Sequence, residues 1–392
     1  MLISRQRRCY GKIARVESVT NRGDSLSSEL QTTYKSPKSH RSDYARAGKI
    51  MVRVVTFGEI MLRLNPHGFE RLLQASNFEA SYGGAEASVA VSLVNYGIPS
   101  AFITCLPPNE LGQAACNYLR RYGVDTSHII RRGERIGAYF VEVGSNDRPS
   151  KVIYDRAHSA MAEIEPGQFV WHDILSGAEW FHFTGITPAI SQTAADATLE
   201  AVKAAKERGL MVSCDLNYRA KLWKYGKTPT GVMTTLMPYV DIVIGNEEDC
   251  EKFFGVKGAD VKIAEQVSAS TYLTVAEHMK KRFPILKKIA ITLRGSISAT
   301  HNTWSAVLYD GEKLYTTKQY DIESIVDRIG SGDAFTGALI YSLLSQKNDQ
   351  DALDFAAAAS ALKHTIPFDL NLVTAEEVQS LLKEGGAGRV QR

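Results

Sequence analysis

The chain has 392 residues, 44% hydrophobic and 23% charged, with a formal net charge of +3. This suits one large or two modest globular domains. It excludes the run of about eighteen apolar residues that a membrane helix needs, and after residue 50 it is too near neutral for electrostatic nucleic-acid binding. Five cysteines, none in C-x-x-C spacing, argue against a disulfide framework or a zinc site and suit a reducing, cytoplasmic setting.

Residues 1–50 are rich in Arg, Lys and Ser and lack apolar periodicity. They read as a disordered extension or a start assigned too far upstream, with a transit peptide as the other reading. Met51 stands directly before the first strand pattern, VRVVTFG at 52–58. Further strand patterns follow at 100–106, 180–185, 211–217, 240–246 and 288–294. Helical patterns occupy 86–96, 110–122, 191–208, 246–254, 271–282, 333–346 and 350–364. Apolar strands alternating with helices predict a doubly wound, mostly parallel α/β sheet over 51–385, with a short tail at 386–392. Residues 136–155 break the rhythm with two strands joined by the polar turn SNDRP. An early strand at 60–64 and the segment RLLQASNF at 71–78 are expected to pair with them. Together, at roughly 60–80 and 136–156, they predict a small antiparallel lid over the carboxyl edge of the main sheet.

The segment RIGSGDAFTGALIYSLL at 328–344 places Gly330, Ser331, Gly332 and Asp333 at the mouth of a helix. Unpaired N–H groups and the helix dipole favour an anion there, and small residues let a phosphate approach. Asp333 is then expected to be ionised and to orient an acceptor hydroxyl, as phosphoryl transfer requires. Taken alone, G-S-G-D reads equally as a capped helix start. Its companions are YGGAEASVA at 82–90, CDLNYR at 214–219 and GNEEDC at 245–250, each next to a strand end or helix start. Arg219 can clamp a carboxylate or phosphate. The acids of GNEEDC offer oxygen ligands for Mg²⁺ or, equally, a dipole-stabilised helix start. His182, His364 and Cys214 read as core residues.

In this order the motifs resemble the signatures of the ribokinase-like (PfkB) carbohydrate kinases. VDRIGSGDAFTGAL is similar to their carboxyl-terminal signature, YGGAEASVAVSLVNYG with LGQAACNYLRRYGVDT to their amino-terminal one, and GNEED to their magnesium-associated element. The resemblance runs from about Val52 to Leu382. VTFGEIMLRL, KVIYDRAHSA, FHFTGITPA and HTIPFD bring it nearest to the 2-keto-3-deoxygluconate kinases. It implies a three-layer α/β/α fold and ATP-dependent transfer to the terminal hydroxyl of that sugar acid. Implied substrate contacts are Gly84, Ala85, Glu86, Tyr139, Tyr154, Arg156, Arg219, Asp369 and the catalytic Asp333. Nucleotide contacts are implied at Asn217, Asn246, Thr292, Arg294, Gly295 and the 330–333 turn. Glu248 and Asp249 are implied to hold Mg²⁺ through water, while a monovalent-cation requirement stays open. Phe368 stands where such kinases commonly have Gly, Ser88 where they have Asn, and Asp249 where they have Glu. A homo-oligomer through the lid is expected, since exposed sheet edges invite pairing. The rival readings are a kinase of fructose, tagatose or 5-keto-2-deoxygluconate, and a catalytically silent sugar or nucleotide sensor. A Rossmann dehydrogenase is disfavoured because no G-x-G-x-x-G follows the first strand.

Overall fold

The computed structural model describes residues 51–256 and 269–385, with a strand pair at Ala45–Arg46 and Lys49–Ile50. The rest of the expected amino-terminal extension and the 386–392 tail lie outside the described residues. Backbone contacts divide the chain between Asp43 and Tyr44, and the fold belongs to the unit Tyr44–Arg392.

The apolar runs of the sequence become adjacent parallel strands in the order Ser100–Ile103, Val54–Phe57, Trp180–Thr184, Met211–Asp215, Ile242–Gly245 and Lys288–Ser296. Successive residues of a strand face opposite sides. Val55, Phe57, Phe181, Phe183, Val212 and Cys214 therefore enter one core, against the helices Gln192–Glu207, Pro229–Leu236, Glu247–Phe254 and Ala269–Arg282. Val54, Trp180, Ile242, Ile244 and Ala290 enter the other, against Ala85–Asn95, Ser331–Leu344, Asp349–Lys363 and Ala375–Glu384. Burial on both faces explains why these strands read as continuous apolar runs rather than alternating ones. The result is the expected helix–sheet–helix sandwich, and no helix among the described residues is long and apolar enough to cross a membrane.

Three short antiparallel strands, Asn302–Tyr309, Leu314–Thr316 and Tyr320–Ile322, extend the sheet beyond Lys288–Ser296. They were not expected: Leu314–Thr316 and Tyr320–Ile322 are three residues each, and Asn302–Tyr309 has only a four-residue apolar run, AVLY.

The second sheet has the order Lys151–Asp155, Ala138–Glu142, Met61–Asn65, Glu79–Gly83. It corrects the sequence reading twice. RLLQASNF at 71–78 forms turns, with Leu73 92% exposed, and the fourth strand is Glu79–Gly83 instead. The lid is also mixed, because Met61–Asn65 pairs with Ala138–Glu142 in parallel. EASYG carries little apolar signal, whereas RLLQASNF has apolar residues in no period-two order.

A buried arginine ties the lid to the main domain. Arg63, on the Met61–Asn65 strand, is fully buried. Its Nη2 donates to Asp327 Oδ2 at 2.5 Å, its Nε to Asn65 Oδ1 at 2.9 Å, and its Nη1 lies 3.3 Å from Asp369 Oδ2. Burial alone lowers an arginine's pKa; Asp369 and Asp327 outweigh it and raise that of Arg63. Phe368 lies under the guanidinium, 5.5 Å from ring centroid to Cζ, and its N–H donates to Asp327 at 3.2 Å. It does so at φ 65°, in the left-handed region that glycine adopts freely and a bulky residue does not.

Removing one member of a buried ion cluster leaves the others unpaired in low dielectric. Arg63→Met should therefore lower unfolding free energy by about 3–5 kcal/mol at neutral pH, measured by urea denaturation.

Candidate active site

The carboxyl ends of the parallel strands and the inner side of the lid enclose one cavity of about 540 Å³. The Ser331–Leu344 helix opens into it. Gly330 takes φ 82° as the residue before the helix, and a Cβ there would come within 2.0 Å of the Asp369 carbonyl oxygen. Both the turn and the close approach require glycine. Asp327 Oδ1 accepts from Ile329 N at 3.0 Å and shapes the approach to the turn.

No side chain caps this helix. Asn109, Ser191, Thr228, Asn246, Asn348 and Thr374 each accept from a backbone N–H at the start of their own helices. The Ala85–Asn95 helix, which opens into the same cavity after Gly84, is likewise uncapped. The Ser331 hydroxyl does not substitute: it donates to the Arg328 carbonyl at 2.9 Å and accepts from Arg294 Nη2 at 3.0 Å. First-turn amides left without side-chain partners beside a cavity make an anion site.

Asp333 differs from the sequence expectation. The helix dipole favours its ionised form, but burial pushes its pKa up to about 7, with Asp369 and Glu86 adding repulsion that Arg219 and Lys363 offset in part. Desolvation outweighs the dipole. Asp333 is therefore a stronger base than an ordinary carboxylate and suited to taking a proton near neutrality.

The lid contributes Tyr139, Tyr154 and Arg156. Tyr139 donates to Asp369 Oδ1, and its ring stacks on that of Tyr154 at 6.0 Å. The Arg156 guanidinium lies 5.6 Å from the Tyr154 ring centroid and is held by Glu59, whose Oε2 accepts from Nε at 2.8 Å; Ser159 Oγ donates to Glu59 Oε1 at 2.5 Å. Arg156 is thus a fixed cation rather than a mobile one. Gly84 is extended, and a Cβ there would meet the Glu59 carbonyl at 2.1 Å, so glycine serves close packing. Glu86 lines the cavity, but its Oε1 accepts from Thr184 N, Thr184 Oγ1 and Thr187 Oγ1 at 3.0, 2.8 and 2.7 Å. These bonds fasten the Ala85–Asn95 helix to the Trp180–Thr184 strand.

At the other end lie Asn217, Arg219, Asn246, Thr292 and Arg294. Arg219 donates to Tyr218 O at 2.9 Å. Arg294 stacks over Trp304 at 5.2 Å; desolvation, then the like charges of Arg328 and Arg219, lower its pKa to about 10. Gly295 is the one expected site residue outside the cavity lining, and it packs against Thr303. Asn246 and Asp249 form a capping box, each accepting from the other's N–H, and Asp249 Oδ1 also accepts from Tyr218 N at 2.9 Å. Both Asp249 oxygens are therefore engaged, whereas the Glu248 side chain is exposed in the cavity. His182 and His364 are core residues as expected, with burial lowering them to about 3 and about 4.

Asp215 belongs to the CDLNYR strand end that the sequence singled out, whereas Glu59 and Arg328 were missed. Glu59 and Asp215 stand at carboxyl ends of parallel strands, a position that alone flags them. Burial raises Asp215 well above the carboxylate range, with Asp249 and Asp333 adding repulsion. Mutual repulsion among cavity carboxylates is the electrostatic setting of a cation site, and oxygen donors suit Mg²⁺.

An anion-binding helix start, a base beside it and a lid over both define a phosphotransferase fold acting on a small molecule. The sequence matches the pfkB family carbohydrate kinases over residues 51–365, and the chain belongs to that family. It is 33% identical over 335 residues to a 2-dehydro-3-deoxygalactonokinase of Haloferax volcanii, covering 86% of this chain and 98% of the relative. The crystal structure of 2-dehydro-3-deoxygluconokinase from Thermotoga maritima is similar at 47% identity and TM-score 0.80, over 84% of this chain and 99% of that one. A 5-dehydro-2-deoxygluconokinase of Clostridium perfringens is 26% identical over 338 residues, 84% of this chain and 93% of the relative.

With Asp333 near 7, kcat/KM should fall as pH drops through about 7, and Asp333→Asn should lose turnover by on the order of 10²–10⁴-fold while still binding nucleotide. The sign for stability is opposite. A carboxyl whose folded pKa is raised keeps a proton that the unfolded chain releases from about pH 4 upward, so its contribution falls as pH rises from about 4 to about 7. Asp333→Asn should melt higher than wild type at neutral pH and above, and the gap should close in acid.

Proposed function

We propose that this chain is an ATP-dependent kinase of a 2-keto-3-deoxy sugar acid, transferring the γ-phosphoryl group to the terminal hydroxyl of 2-keto-3-deoxygluconate (2-dehydro-3-deoxygluconate). The observation that carries the reading is the polarity of the cavity: a fixed cation and two phenol rings at the lid end, a base and unpaired amides at the other. A sugar acid has the same polarity, a carboxylate at one end and a primary hydroxyl at the other. The carboxylate would meet Arg156 beside Tyr154, and Asp369, tied to Tyr139, would accept from a sugar hydroxyl. The terminal hydroxyl would then reach Asp333, which orients it and takes its proton. The names of the relatives support the same substrate class.

Arg219, Arg294 and Arg328 lie at the end where the triphosphate would enter, and their charge suits it. Mg²⁺, when bound, neutralises phosphate charge; Glu248 and Asp215 would hold it, with Asp249 fixing the backbone between them. The 330–333 amides would receive the transferring group, and the lid would exclude water as a competing acceptor. A cytoplasmic setting fits the cysteine pattern. The outer lid strand Lys151–Asp155 is largely exposed, with Ile153 at 55%, and we assign it to pairing with a second copy.

A coupled ADP-release assay across sugar acids and neutral ketoses tests the substrate. Arg156→Ala should raise KM for 2-keto-3-deoxygluconate by about 10- to 100-fold, the loss of one charge-assisted hydrogen bond, whereas Arg219→Ala should raise KM for ATP. Preference for fructose or tagatose would replace the substrate, and sugar-acid binding without ADP release would turn the protein into a sensor.

A further inference from the structure

Lys363 is the last residue of the Asp349–Lys363 helix and does not line the cavity, so it meets no substrate in the chemistry above. Its side chain is fully buried, which lysine almost never is without a compensating partner. Its Nζ donates to two backbone carbonyls, Ile366 O at 3.1 Å and Asp327 O at 3.5 Å.

Those carbonyls belong to the two segments that form the catalytic turn. Asp327 opens DRIGSGD, and Ile366 opens the IPFD segment that ends at Asp369. The segments are joined by Val326 N to His364 O at 2.8 Å and by Phe368 N to Asp327 Oδ2 at 3.2 Å, and Gly330 lies against the Asp369 carbonyl. One turn earlier on the same helix, Ser360 Oγ donates to Ser331 O at 2.7 Å. The ammonium thus sits directly behind the backbone whose front amides face the cavity. The two carbonyls thus converge on one positive charge, as part of the oxygen shell of a free cation would.

We propose that Lys363 is a positioning residue, a cation built into the chain that fixes the Asp327 and Ile366 carbonyls behind the anion-binding turn, so that phosphoryl transfer needs no free monovalent cation. The proposal rests on the 330–333 turn being the phosphoryl site. Electrostatics agree. Burial lowers the Lys363 pKa, while Asp327, Asp369 and Asp333 oppose that shift; Lys363 in return lowers the pKa of Asp333.

The test measures turnover of the full chain in tetramethylammonium buffer, with and without potassium or ammonium chloride. Wild-type kcat should be unchanged by either salt. Lys363→Met should lose kcat by roughly 10- to 100-fold, the effect of slightly misplaced reacting groups, with little change in KM for ATP. Ammonium or potassium should restore much of it by entering the vacated space, and tetramethylammonium should not. The acid limb of the variant's pH profile should also move upward as Asp333 loses a nearby positive charge. A wild type that needs potassium or ammonium overturns the proposal. So does a fully active Lys363→Met, or an inactive one that neither salt restores. Should the variant fail to fold, the wild-type salt dependence decides alone. Asp333→Asn keeps the two readings apart: if it turns over normally, the turn is not the phosphoryl site whatever the salts do.

Discussion

The amides at the start of the Ser331–Leu344 helix have no side-chain cap, and the surrounding structure is arranged around that omission. At six other described helices an Asn, Ser or Thr completes the start. Here a left-handed Gly330 pressed against the Asp369 carbonyl removes any room for one. The same constraint draws Asp369, Tyr139 and Arg63 together, because the segment that supplies the carbonyl also carries the carboxylate. Capping and anion binding are one geometry, with a ligand in the place of the cap.

Charge is handled by enclosure on both sides of the turn. Arg63 sits among Asp327 and Asp369 on the lid side, and Lys363 behind the turn on the helix side. Between them Asp333 is desolvated without being neutralised. A closed cation partner for Asp333 would have lowered its pKa and left it a poor base. The protein instead binds Arg63 to Asp327 and Asp369, and Lys363 to backbone carbonyls, which leaves the base available.

Much of the fold was legible because it depends on local signals. Strands buried on both faces must be apolar throughout, and helices buried on one face must repeat every three to four residues. The Gly-rich turn and the Asn-containing strand ends that line the cavity stood out in the sequence because small residues and amides recur there at defined spacings. What stayed hidden depends on distance along the chain. Arg63 and Asp327 are separated by 264 positions, and nothing in MLRLN says that its arginine is buried. Lys363 looks like any basic residue in a helix's last turn, where the dipole welcomes it. Glu79–Gly83 was hidden because its pairing is decided by neighbours rather than by its own composition, as is common for strands.

The ion cluster also sets how the lid can move. Met61–Asn65 is anchored through Arg63 and Ala138–Glu142 through Tyr139, so the two central strands are pinned to the same carboxylate. The sheet is therefore not a flap on a hinge. Its least buried parts are the outer Lys151–Asp155 strand and the 67–80 connection, neither of which carries such a tie. Peeling from that edge would leave both ties to Asp369 in place, so the residues they position would stay assembled.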